Sequence, residues 1–338
     1  MMRAATGLAF AAALALAGSS PVQADDPAGG NAPGDFAGVA CDALGGDMTA
    51  EPLLHVAAPR LLLLQGSVAL VSMEPFARFL IAMGYPAAAL RDPVDGSMSR
   101  SSFADSRKLA GIIAWHYEHE AMMPMLIGHS QGGMLAIRVL YELAGDFAPS
   151  IEVWDPERDQ DAGRDWIRDP YSGERRPVIG LQLPYAAALA TGKLPRVLLG
   201  QWSMIGRLRE IPDSVEEFTG FNIRWDPIAG TFGGGEPYRA LGSARVRTVE
   251  LPAATSHIGL PDVAWIATEP RARAWVERYR PGDEVPPDLV DEARAGSLLM
   301  AADVWHSVRR HWCLEAQRHA QRGDAGGNAA PARAQGGR

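Results

Sequence analysis

The sequence predicts an α/β protein with a mostly parallel central sheet and helices on both of its faces. Two observations carry this. Short, continuous apolar runs without polar alternation recur along the chain, as strands buried on both faces require. Between them lie longer segments of helical spacing, the connections that parallel strands need. Size agrees: 338 residues, 47% hydrophobic and 21% charged, can enclose one large core or two smaller ones.

The elements follow in order. Residues 60–65 (RLLLLQ) form a buried strand ended by Gly66. Residues 74–83 have helical spacing, with Pro75 near the start and Gly84 just past the end. Residues 85–90 read as a second strand, 103–120 as a long helix and 122–127 (MMPMLI) as a third buried strand. A helix then runs to about Leu143 and stops before Gly145. Strands are expected at 178–183, 221–225 and 246–251, a helix at 271–279, and one or two long helices over 288–322.

The ends read differently. Arg3 is the sole charge in the first 24 residues, an Ala/Leu run follows, and Val22, Gln23 and Ala24 offer a small-residue cleavage site. This is the layout of a signal peptide cut after Ala24, so a secreted or periplasmic protein is expected. The run is short for a membrane span, and no other run is long enough for one. Residues 25–57 read as a loosely ordered lead-in, 58–285 as the main domain, 286–322 as a C-terminal helical extension and 323–338 as a disordered tail. With 32 basic and 40 acidic side chains the net charge is −8, and no basic stripe supports a nucleic-acid partner. Export and an even count of two suggest that Cys41 and Cys313 pair, with two buried thiols as the alternative.

Residues 128–133 read Gly-His-Ser-Gln-Gly-Gly. Gly128, Ser130 and Gly132 make a G-x-S-x-G pattern, which glycine-rich turns also produce by chance. Context gives it weight: a buried run precedes it and a helical pattern follows, the setting that lifts a serine clear of a sheet. The glycines let strand, turn and helix approach closely. Ser130 then stands at a helix N-terminus, with the Gln131 N–H aimed where an oxyanion forms. A glycine-rich turn with a solvated serine is the alternative.

On these residues the chain resembles the α/β-hydrolase family, and the 128–133 elbow looks like that of bacterial lipases and esterases. The resemblance spans roughly residues 58–280 and implies the α/β-hydrolase fold with catalytic residues in the order Ser, Asp or Glu, His. The family's oxyanion loop, usually beginning His-Gly, maps onto Gln65, Gly66 and Ser67. Gln replaces His and can still brace the loop; the Ser67 N–H becomes the second oxyanion donor beside Gln131, or the segment is an ordinary turn. The family's histidine follows the last strand, which maps onto His257 after 246–251. A neutral imidazole there can take the serine proton and return it to the leaving group. His129 adjoins the nucleophile, His306, His311 and His319 fall on the C-terminal helix, and His55 precedes the core. Asp226 ends the 221–225 strand at the carboxyl edge of the sheet, where open α/β sheets keep their sites. Asp155 and Glu236 are rivals in the right order, and Asp262 comes after His257.

The resulting expectation is an exported serine hydrolase that cleaves carboxylic esters through Ser130, His257 and Asp226, with no metal or organic cofactor. The rivals are a serine peptidase, an acyltransferase, and a non-catalytic binding module on the same fold. The substrate class is a neutral small-molecule or lipid ester, because residues 68–71, the Met-rich strand and an expected turn at 184–188 would line the site with apolar groups. Residues 148–176 are a cap or a solvated loop. Leu194, Val197, Leu198, Met204, Ile205 and Leu208 share a helical stripe, either over the pocket or in the core. His116 and His119 with neighbouring acids lack the H-E-x-x-H order and a third ligand, so a solvated helix end is expected there. The glycines of 230–235 lack the Lys-Ser/Thr ending of a phosphate loop.

Overall fold

The computed structural model describes residues 39–44, 51–67, 71–192 and 202–327. The expected signal peptide, residues 68–70, Leu194, Val197 and Leu198 of the apolar stripe, and residues 328–338 lie outside them. Five strands make the central sheet: β1 (Leu61–Leu64), β2 (Met125–His129), β3 (Leu183–Leu189), β4 (Val215–Ile223) and β5 (Arg245–Leu251). They lie side by side in chain order, and every pairing is parallel.

Strand alternation sends neighbouring side chains into two separate cores. Leu61 and Leu63 of β1 join one, with α1 (Glu74–Ala82), α4 (Pro270–Arg278) and α5 (Glu292–Gly327). Leu62 and Leu64 join the other, with α2 (Ser106–Glu120) and α3 (Gln131–Ala144). Burial on both faces is why β1 reads LLLL. Local chemistry sets the helix ends. Asp105 caps α2 by accepting from the Arg107 and Lys108 amides, and Gly145 closes α3 at φ +85°.

Four expectations need correction. Residues 85–90 form no strand; Ala87–Ala89 is a 3-10 turn, and the open edge of β1 is met by one bridge between Leu64 and Arg100. The strand expected at 178–183 lies instead at Leu183–Leu189, so Pro184 and Ala186 to Ala188 are buried strand residues and not a turn lining a pocket. Proline is tolerated there because the Leu183 N–H donates toward β4. Position 184 therefore faces β2, whose pairing starts only at Ala186. Residues 148–176 form two short antiparallel ribbons on the flank of α2, tied by Arg164 to Glu118 and by the Tyr117 hydroxyl to Asp169. Their hydrogen bonds include several to α2 and to its C-terminal end, and among the described residues none reaches Ser130. Finally, the C-terminal segment is a layer of the fold and not an extension: Trp305, Val308 and Trp312 of α5 are buried in the first core, and the helix continues to Gly327.

A polar cluster docks α5 on the sheet. Arg247 of β5 donates to both oxygens of Asp303 at 2.8 and 2.9 Å. Glu217 of β4 accepts from Ser307 and Arg310 and pairs with His311. Burial by itself raises the Glu217 pKa. His311, Arg247 and Arg310 outweigh it and hold the carboxyl at about 2. A carboxylate whose folded pKa is depressed stabilises the fold above its ordinary value of 4.5, and that contribution is lost as pH falls toward 2. Glu217→Gln should therefore lower the urea midpoint clearly at pH 6 and much less at pH 3. Equal losses at both pH values would contradict this.

Cys41 and Cys313 form a disulfide with a sequence separation of 272 and a Cα–Cα distance of 5.6 Å. It joins the lead-in to α5. Closing so long a loop is worth about 5 kcal/mol in the chain-entropy model, and measured values are often lower. The Cys41→Ala, Cys313→Ala protein is expected to melt roughly 10 °C below wild type in calorimetry; an unchanged midpoint would remove the cross-link from the stabilising elements.

Candidate active site at the carboxyl edge of the sheet

β2 delivers Ser130 straight into α3 through one tight turn. Ser130 has φ +53° and ψ −116°, a conformation that L-residues rarely adopt. Its N–H stays in the sheet, donating to the Leu189 carbonyl at 2.7 Å. The glycines are explained by contact distances. A Cβ on Gly128 would lie 2.1 Å from the Gly132 carbonyl oxygen. A Cβ on Gly132 would lie 2.3 Å from the Leu64 carbonyl oxygen, and one on Gly133 only 1.9 Å from Thr191 Oγ1.

Three sequence-selected residues meet here. The Ser130 hydroxyl lies 3.0 Å from His257 Nε2, and His257 Nδ1 lies 2.6 Å from Asp226 Oδ2. A carboxylate only accepts, so the imidazole donates from Nδ1, and Nε2 is left to accept the hydroxyl proton. Asp226 is fixed in turn, because its Oδ1 accepts from the Ile228 and Ala229 amides at 3.0 and 2.9 Å. All three side chains are buried. Asp155 is committed to Arg158 on the α2-flanking ribbon.

His129, next to Ser130, grips the His257 loop. Burial first, then the neighbouring His257, lowers its pKa to about 3. It is therefore neutral, and its Nε2–H donates to the His257 carbonyl oxygen at 2.9 Å.

The 65–67 loop lies against the elbow. A Cβ on Gly66 would be 3.6 Å from that of Ser130. Ser102 donates to the Gly66 carbonyl, and Ser99 donates to Gln65 Oε1, so Gln65 braces this loop. The backbone amides of Ser67 and Gln131 have no acceptor among the described residues. Gln131 heads α3, where helix N–H groups point outward.

The surrounding surface is apolar. Trp225 and Phe232 face each other across a short ribbon beside Asp226 and are 55% and 69% exposed. Ile228 and Ile258 are exposed on the same two loops. Residues 225–235 and 252–261 carry no Lys, Arg or Glu, and their one Asp is the buried Asp226.

The solvated helix end expected at His116 and His119 is not what forms. His116 is buried, not solvated, and pairs with Glu120, which also binds Arg60. Met204 and Leu208 of the apolar stripe are core residues.

Two residues near Ser130 carry no sequence signal that could have found them, Thr191 and Arg209. Thr191 Oγ1 donates to the Ser130 carbonyl at 3.0 Å, and Arg209 Nη2 donates to the Thr191 carbonyl at 3.0 Å. Each contact depends on sheet register and not on spacing along the chain.

No protein-family model, curated protein or solved structure matches this chain. Among the described residues no helix is long and apolar enough to cross a membrane.

Proposed function

We propose that this chain is an exported serine hydrolase of the α/β-hydrolase type that cleaves neutral carboxylic esters. The observation that carries the reading is the hydrogen-bonded chain from Ser130 Oγ through His257 to Asp226, at 3.0 and 2.6 Å, mounted on a strained elbow. Ser130 attacks the acyl carbonyl while His257 Nε2 takes its proton, and Asp226 holds the imidazole and stabilises the imidazolium. The Ser67 and Gln131 amides bind the oxyanion. His257 returns the proton to the leaving alcohol, then activates the water that releases the acid. The apolar, uncharged loops around Asp226 and His257 support an apolar ester as substrate. The disulfide supports export, since such bonds persist in oxidising compartments.

The test is a p-nitrophenyl ester series from acetate to palmitate beside peptide anilides, with fluorophosphonate labelling of Ser130. Labelling and ester turnover with feeble anilide cleavage are expected. Efficient anilide cleavage would make the protein a peptidase, and no labelling with no turnover would leave a binding module.

A further inference from the structure

Beyond β3 the chain leaves the sheet through Ala190, Thr191 and Gly192, which touch both the Ser130 turn and the loop that holds Asp226. Ala190 has φ +50°, an uncommon conformation for a residue with a Cβ. Its N–H donates to the Phe221 carbonyl of β4 at 2.9 Å, which ties the bend to the neighbouring strand. Thr191 is buried, and its hydroxyl donates to the Ser130 carbonyl. Gly133, the glycine beyond the G-x-S-x-G pattern, leaves room for that hydroxyl. Gly192 packs backbone to backbone on the acid loop, where an added Cβ would lie 2.1 Å from the Ala229 carbonyl oxygen. The Ala229 amide is one of the two that hold Asp226 Oδ1. A continuous line of contact therefore runs from the nucleophile through Thr191 and Gly192 to Ala229 and the acid.

One further group holds this line. Arg209 is 7% exposed and spends Nη2 on the Thr191 carbonyl, while its guanidinium lies over the Tyr238 ring at 4.3 Å. The Tyr238 hydroxyl interacts with both Arg209 and Thr191. A buried guanidinium is costly to hold, and Arg209 spends a hydrogen bond on the residue whose hydroxyl meets the Ser130 carbonyl.

We infer that Thr191, locked by Arg209, is a positioning residue that sets the spacing between the nucleophile Ser130 and the acid Asp226. The inference rests on the hydrolase reading of Ser130. Thr191 touches no substrate; it acts through the Ser130 backbone. Misplacing a reacting group by about 1 Å costs up to about 100-fold in rate. Loss of the Thr191 hydroxyl should therefore lower kcat and leave KM unchanged, since the elbow geometry matters in the transition state and not in substrate binding.

The experiment compares wild type with Thr191→Val, Thr191→Ser and Arg209→Met on a p-nitrophenyl ester. Fluorophosphonate labelling rates and thermal midpoints are measured in parallel. Thr191→Val, similar in shape but without the hydroxyl, should lose roughly 10- to 100-fold in kcat and in labelling rate at constant KM. Thr191→Ser should restore most of both, because the hydroxyl returns. Arg209→Met should lose about 10-fold and stands in if Thr191→Val does not fold. A Thr191→Val protein within twofold of wild type, or a Thr191→Ser protein as slow as Thr191→Val, overturns the inference. If wild type itself neither labels nor turns over, the hydrolase reading fails. The bracket is then judged by the low-field NMR resonance of the proton between His257 and Asp226. That resonance should shift or vanish in Thr191→Val, and an unchanged resonance overturns the inference on its own.

Discussion

Replacing Ser130 or His257 by alanine is expected to lower kcat toward esters about 10⁶-fold, with the folded structure retained. Ser130→Ala keeps the Cβ, so the strained backbone of the elbow meets the same sterics, and only the oxygen bonded to His257 Nε2 is lost. His257→Ala removes the acceptor for that proton. The backbone amides remain, so a residual rate of roughly 10³-fold over water should persist in both. The double variant should be no slower than either single one, because the two groups act on one proton. Steady-state kinetics on purified proteins, with circular dichroism as the folding control, check this. Near-wild-type turnover by folded Ser130→Ala protein would falsify the mechanism.

Asp226→Asn should cost about 10⁴-fold in kcat while the protein still folds. Asparagine keeps an oxygen for the Ile228 and Ala229 amides, so the acid loop stays in place. The atom facing His257 Nδ1 becomes an NH₂ donor. The imidazole must then accept at Nδ1 and carry its proton on Nε2, facing the serine, where it cannot act as a base. Asp155→Asn should be near wild type, since Asp155 pairs with Arg158. Kinetics of both variants decide the matter, and an active Asp226→Asn beside an inactive Asp155→Asn would move the acid to Asp155.

The elements that were legible in the sequence are those set by local chemistry. RLLLLQ reads as a doubly buried strand because its two sets of leucines face two cores, and residues 74–83 and 103–120 read as helices from their spacing, the first also from Pro75 and Gly84 at its ends. Three misreadings share a cause. Residues 85–90 are apolar enough for a strand, yet Tyr85 and Leu90 bury into the first core from an irregular connection, which composition does not distinguish from pairing. Pro184 looks like a breaker until the neighbouring strand is known to start two residues later. Residues 148–176 are charged enough to be a loop or a cap, and only the ion pairs to α2 place them on its flank.

By itself the sequence determined the α/β class and the strand, glycine turn and helix start around Ser130, because each is written in short-range pattern. The tertiary structure decided which acid meets His257, that Cys41 and Cys313 are joined, that α5 is a layer of the fold, and that the Thr191 hydroxyl meets the Ser130 carbonyl. These are contacts between residues distant in the chain. They follow from the register of β3 between β2 and β4 and from the packing of α5 on the sheet, and neither leaves a periodicity or a spacing in the sequence from which it could be read.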